Sequence, residues 1–236
     1  MVDKIIQSIQ QHSIPLTNFK DDLDPLISAI TNQKYILLGE SSHGTSEFYQ
    51  IRAEITKRLI LEKDFTFIAV EGDWPACQQV NSYIKGYSNE YKNALDVLAS
   101  FKRWPTWMWA NEELIDLIEW LKEFNQEKPN EKKVGFYGID IYSLWESMDE
   151  ILKYLEKRNS LNLEVARKAF ACFEPFHREA EKYALSSAFY QEGCHEEVTR
   201  LLMEIIANKH VYQDSRESSL NVEVNALITA NAENYY

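Results

Sequence analysis

The sequence predicts a three-layer α/β/α fold with a small parallel sheet, followed by a large helical part, and three observations carry that prediction. Short apolar runs at 35–39 (YILLG), 65–70 (FTFIAV) and 134–139 (VGFYGI) each stop at glycine and acidic residues. Runs of this length and character read as strands buried on both faces, the pattern of parallel sheets. Amphipathic helical repeats lie between the runs, and only helical periodicity follows the third. No Gly/Pro/Ser-rich linker or internal repeat interrupts the chain. We therefore read residues 1–236 as one domain, with an α/β part at 1–142 that carries the site and a helical part at 143–236.

Two short helices come first, at 4–12 and 22–32, where Ile5, Ile6 and Ile9, then Leu23, Leu26, Ile27 and Ile30, recur at helical spacing. They lead into the strand at 35–39, which ends in Gly39, Glu40, two serines, His43 and Gly44. Thr45 and Ser46 offer N-cap oxygens and Glu47 a first-turn acid, so a helix should run to about Lys63. On it Phe48, Ile51, Ile55 and Leu59 form one stripe, and Arg52 falls inside that stripe. An arginine there either snorkels out, makes a structural ion pair, or reaches Glu40 or a bound anion.

The second strand ends at Glu71, Gly72 and Asp73, and Pro75 opens a helix to about Ile84. Residues 101–109 (FKRWPTWMW) bring Trp104, Trp107 and Trp109 together. They are either core or an aromatic wall for a large, partly apolar ligand. Asn111 caps a helix to about Asn125. The third strand ends at Asp140. Three carboxylates, Glu40, Glu71 and Asp140, thus occupy the same ends of three strands, where ligands bind in parallel α/β sheets.

Beyond Asp140, Ser143 and Glu146 form an S-x-x-E capping box for a helix with Leu144, Met148, Ile151, Leu152 and Leu155 as its apolar stripe. Further helices are expected at 162–171, 177–188, 195–208 and 215–236. The last ends without a C-cap glycine or a basic final turn, and three strands make a small sheet for this length. The expectation is that a C-terminal part of a longer protein is missing.

With 25 Lys and Arg against 37 Asp and Glu, the net charge of -12 argues against nucleic acid as a partner. No apolar run approaches a membrane span and the first residues lack signal-peptide order, so we expect a cytoplasmic protein with no membrane partner. Cys77, Cys172 and Cys194 are odd in number and widely spaced, and read as ordinary thiols. The sequence leaves oligomeric state open.

His43 is the candidate general base, because it is the one histidine at a predicted strand end. His12, His177, His195 and His210 fall on helices or their ends and read as surface residues. Glu40 can orient the imidazole, which draws a proton from the water that attacks an ester carbonyl. Arg52 balances the acids or stabilises the oxyanion. The plainer reading is a structural hydrogen bond near a turn. A divalent metal held by Glu40, His43, Glu71 and Asp140 is a further alternative, although no second histidine lies at metal spacing. Ser41 or Ser42 as nucleophile lacks the GxSxG elbow. A non-catalytic protein that uses an aromatic cleft for binding also remains.

The segments LLGESSHGTSEFYQIRAEITKRL, FIAVEGDWPACQQVN, FKRWPTWMWANEEL, KVGFYGIDIYSL and ACFEPF, and more loosely NALITANAENYY, resemble the erythromycin esterase family, which includes proteins labelled as succinoglycan biosynthesis proteins. The resemblance implies an α/β/α fold and metal-independent hydrolysis of a macrolide lactone ester by activated water, with no cofactor. It assigns the site to Glu40, His43, Arg52 and Glu71; Trp104, Trp107, Trp109 and Asp140 are expected substrate contacts from the aromatic-wall and strand-end readings above. Family members are about twice as long and carry a further site histidine in the half absent here. That leaves open a polysaccharide-biosynthesis-associated role without catalysis.

Overall fold

A computed structural model of the chain describes residues 2–160, 162–179, 182–186, 194–208 and 216–235. It has two compact units, one formed by residues 1–68 and 83–135, the other by 69–82 and 136–236.

In the first unit, α1 (Val2–His12) is followed by α2 (Asp24–Ala29) and the long α3 (Ser46–Lys63). Leu23, Ile27 and Ile30 meet Ile55 and Leu59 of α3 in one buried cluster, with Ile36 and Leu38 packed against it. The predicted strand at 35–39 does not form: this stretch has no regular structure and joins neither strand of the sheet. Its side chains alternate, with Ile36, Leu38 and Glu40 half-buried and Leu37 93% exposed. Only one face meets apolar partners, so the segment lies on the helices of its unit without a ladder.

Among the described residues the sheet has two parallel strands, β1 (Phe67–Asp73) and β2 (Gly135–Asp140). Double-sided burial is also corrected for β1, where burial alternates and Phe67 and Glu71 are exposed. The strands approach closely at Gly138, where a Cβ would collide with the carbonyl oxygen of Gly72. Glycine is required there by space rather than by backbone angle.

The helix α4 (Trp74–Ile84) leads to α5 (Ala94–Leu98), and α6 (Glu112–Gln126) precedes β2. Asn111 caps α6 as its position predicts, accepting from the Leu114 N–H at 3.1 Å. At the other end of α6, buried Asn125 accepts from the Val134 N–H at 2.8 Å. It donates to the carbonyls of Val134 at 2.9 Å and Ile84 at 3.1 Å. One amide thereby satisfies three backbone groups and fixes where the chain enters β2.

The second unit adds α7 (Leu144–Lys157), α8 (Leu163–Ala171), α9 (His195–Asn208) and α10 (Arg216–Tyr235), and α10 packs on both α7 and α9. Leu144, Ile151, Leu155, Phe173, Tyr183 and Ile205 lie at the centre of its core. Ser143 stands at the N-cap of α7 but makes no capping bond; its hydroxyl lies 3.3 Å from that of Ser147, so the capping box does not close. Of the helix expected at 177–188, residues 182–186 are helical and 177–179 are not, while 180–181 and 187–188 lie outside the described residues.

The reading of all three cysteines as ordinary thiols is corrected. Cys172 and Cys194 form a disulfide that ties the end of α8 to the start of α9, and Cys77 is a buried free thiol. Sequence spacing does not show that two helix ends meet. His12 and His177 are exposed as expected, whereas His210 lies outside the described residues.

Candidate active site

The segment 35–40 delivers Glu40 to a turn that closes at Gly44, whose φ of 77° is costly for other residues. Across this turn the hydroxyls of Ser42 and Thr45 lie 2.9 Å apart. The turn sets His43 three residues from Glu40 and starts α3 at Ser46, so that Arg52 comes round one and a half turns later.

The three side chains meet at the Glu40 carboxylate. His43 Nδ1 donates to Glu40 Oε1 at 2.5 Å, and Arg52 Nη2 stands 2.9 Å from Glu40 Oε2. Exposure is graded: the Glu40 side chain is 14% accessible, Arg52 20% and His43 45%. The carboxylate is therefore shielded and doubly paired, while the imidazole faces outward. Donation from Nδ1 selects the tautomer in which Nε2 carries the lone pair and can accept a proton. Of the readings left open for Arg52, the ion pair with Glu40 is the one that forms.

Tyr49 was not singled out by the sequence reading. It is 3% exposed, and its ring lies 4.8 Å from the Arg52 guanidinium carbon. The edge of Trp109 meets it at 6.4 Å and 86°. Burial first, and then the charge of Glu40, push the phenol above its ordinary value, while the Gly44 backbone and Arg52 pull the other way. The hydroxyl itself has no partner in hydrogen-bond geometry. The available signal was its spacing: Tyr49 precedes Arg52 by three residues, which puts ring and guanidinium on one helix face.

Two of the three tryptophans are not core, and Trp109 is half-buried. Trp104 is 80% exposed and Trp107 44%. Trp107 lies over the turn, where a Cβ on Gly44 would stand 3.1 Å from its ring. The first unit thus brings together Glu40, His43, Arg52, Tyr49, Trp107 and Trp109. Glu71 and Asp140 belong to the second unit, Glu71 as an exposed residue within β1 and Asp140 as the last residue of β2. Among the described residues no group of three or more His, Cys, Asp or Glu side chains is arranged to hold a metal ion. None of the described helices is long and apolar enough to cross a membrane.

Fold and site together define an α/β protein with a large helical part, carrying a Glu–His–Arg cluster at the head of its longest N-terminal helix. The chain belongs to the erythromycin esterase family, whose model, described as "Erythromycin esterase", matches residues 60–236. Glu71, the three tryptophans and Asp140 lie inside that match, whereas Glu40, His43 and Arg52 precede it. A curated Escherichia coli protein, erythromycin esterase type II, is 31% identical over 121 residues, covering 51% of this chain and 26% of the relative.

Two crystal structures share the fold at a TM-score of 0.75. One is described as a succinoglycan biosynthesis protein, with 23% identity over 98% of this chain and 56% of its own. The other is a Bacillus cereus protein, with 21% identity over 99% of this chain and 56% of its own. A mutant of the erythromycin esterase EreC in its open conformation matches 83% of this chain and 48% of its own, at a TM-score of 0.54 and 16% identity. The chain thus spans about half the length of the solved structures it matches.

Proposed function

We propose that this chain carries the general-base half of an ester-hydrolysing site that acts on a carboxylic ester of the macrolide lactone type. The observation that supports this most is the Glu40 carboxylate, held between His43 Nδ1 and Arg52. Glu40 orients the ring and stabilises the imidazolium; Arg52, paired with the other carboxylate oxygen, holds Glu40 in place. His43 Nε2 removes a proton from water as its oxygen attacks the ester carbonyl. The tetrahedral oxyanion then collapses, the C–O bond to the leaving group breaks, and the imidazolium returns its proton to the departing alkoxide. The products are a carboxylic acid and an alcohol.

Glu71 enters this proposal through the family resemblance, as a second acid of the site, and Asp140 as a substrate contact. Exposed Trp104 and Trp107 suit the apolar body of a large ligand. The succinoglycan label of one structural neighbour describes that neighbour and supports no alternative substrate for this chain.

The test compares wild type with His43→Ala on erythromycin, reading the gain of one water on ring opening by mass spectrometry, and on p-nitrophenyl acetate, reading release of p-nitrophenolate by absorbance. Loss of a positioned base should lower turnover by roughly 10²–10⁴-fold while circular dichroism stays unchanged. Turnover equal to wild type in a folded variant would remove His43 from the mechanism.

A further inference from the structure

The contact between Glu40 and Arg52 leaves the plane of the guanidinium group unset. Arg52 Nη2 stands 2.9 Å from Glu40 Oε2, yet this buried oxygen has no aligned hydrogen bond among the described residues. Charge draws the two groups together, but the pair lacks the two-pronged geometry by which a carboxylate fixes a guanidinium in one orientation. Burial alone does not lock a side chain with so many rotamers, since Arg52 is 20% exposed. A guanidinium that swung to Oε1 would compete there with His43 Nδ1, which lies 2.5 Å from that oxygen.

Tyr49 supplies the missing constraint. It precedes Arg52 by three residues on one face of α3, and its ring centroid lies 4.8 Å from the guanidinium carbon, a cation–π distance. The ring is itself held: it is 3% exposed, and Trp109 meets it edge to face at 6.4 Å and 86°. Trp109 follows a 3₁₀ turn at Thr106–Met108 that is tied to the head of α6. There the Asn111 amide donates to the carbonyls of Trp107 and Met108, each at 3.2 Å, while its oxygen caps the helix. Contacts thus run without a break from the start of α6 through Trp109 and Tyr49 to Arg52, all within the first unit. The Tyr49 hydroxyl makes no well-formed hydrogen bond, so the ring is the part that acts.

We propose that Tyr49 is a positioning residue: its ring holds the Arg52 guanidinium on the Oε2 side of Glu40, which leaves Oε1 to His43 and keeps the imidazole in its Nδ1–H tautomer. This role rests on the ester-hydrolysis reading only for its effect on rate. Buried behind Arg52, Tyr49 offers a substrate almost no surface, so it bears on kcat rather than on KM.

The test reads the full ¹⁵N-labelled chain by NMR, with His43 and Arg52 side-chain signals identified as those lost in His43→Ala and Arg52→Lys. In wild type the Arg52 guanidinium should give separate Nη resonances, with its protons moved upfield by the ring. This measurement stands even if a Tyr49 variant fails to fold. Long-range ¹H–¹⁵N correlations should show the Nδ1–H tautomer of His43 in wild type and in Tyr49→Phe. Tyr49→Leu fills the space but offers no π-face, and should shift His43 towards Nε2–H with unchanged circular dichroism. On an ester that wild type hydrolyses, Tyr49→Leu should lower kcat by roughly 3- to 30-fold at unchanged KM, and Tyr49→Phe should keep the wild-type value. An averaged, unshifted Arg52 signal in wild type, Nδ1–H retained in folded Tyr49→Leu, its loss in Tyr49→Phe, or a change confined to KM would each overturn the proposal. The tautomer needs no substrate, so a wild type that hydrolyses no ester while His43 responds as expected would count against the ester reading and support the positioning role.

Discussion

Tyr49 shows how much a single side chain contributes to the candidate site. Its ring backs Arg52 and its edge partner is Trp109, while its hydroxyl is buried beside the Gly44 backbone and Arg52 without a well-formed hydrogen bond. These two contributions have opposite signs. Tyr49→Phe keeps the ring and removes an unsatisfied polar atom, so the unfolding midpoint should stay the same or rise and ester turnover should persist. Tyr49→Ala removes the ring and should cost about 3–5 kcal/mol, the usual range for a buried aromatic. Urea denaturation of the two variants checks the pair. Destabilisation by Tyr49→Phe close to that of Tyr49→Ala would mean that the hydroxyl holds a bond. Arg52 was legible as an anomaly on a helix stripe; Tyr49 was not, because a tyrosine at a buried helical position raises no conflict with its surroundings.

Two links decide stability at the scale of elements. From the last turn of α6, Asn125 serves the backbone of Val134, the residue before β2, and of Ile84 at the end of α4. Asn125→Ala leaves one donor and two acceptors buried, and should cost about 1–3 kcal/mol for each group that water cannot reach. Chemical denaturation measures that loss, and Asn125→Asp should not restore it, because a carboxylate cannot donate to the two carbonyls. The second link is the disulfide. Its 22-residue separation predicts about 3 kcal/mol of stabilisation through the unfolded chain. Unfolding in the presence and absence of reductant should reveal it, with Cys172→Ser insensitive to reductant and matching the reduced wild type. A midpoint unmoved by reduction would show that the bond contributes no stability. Helix boundaries were largely readable: α6, α7 and α9 follow clear apolar periods, and the start of α3 was marked by its end signals. The strand at 35–39 was misjudged because an apolar run records burial, not whether another strand lies alongside.

Across the whole chain, three buried tyrosines bias stability against alkali. Burial raises Tyr49, Tyr83 and Tyr183 above the ordinary phenol value; the Glu119 carboxylate adds to this at Tyr83 and Glu233 at Tyr183, which also donate to those acids. A raised value in the folded state means that folding retains protons that the unfolded chain releases. The stabilisation is therefore complete below about pH 10, where free tyrosine is protonated, and is lost as pH rises beyond it. On the acid side, Glu62 is held low by Arg58 and Glu113 by Ser46, so their support is present at neutral pH and lost as these carboxylates protonate. Thermal unfolding across the alkaline range should show a falling midpoint above about pH 10, with loss of absorbance-detected phenol protection. A flat midpoint there would contradict neutral burial of these phenols.

The sequence by itself determined most of the helices, though not α5, and two of three strands, and it singled out Glu40, His43 and Arg52 as candidates. Apolar period, end signals and a charge on a buried stripe are local properties, written within a few residues of one another. The tertiary structure alone decided that the first apolar run stays unpaired, that Cys172 meets Cys194, and that Tyr49 backs Arg52. Each of these depends on which surfaces meet in space. A strand needs a neighbour, and a disulfide two converging backbones.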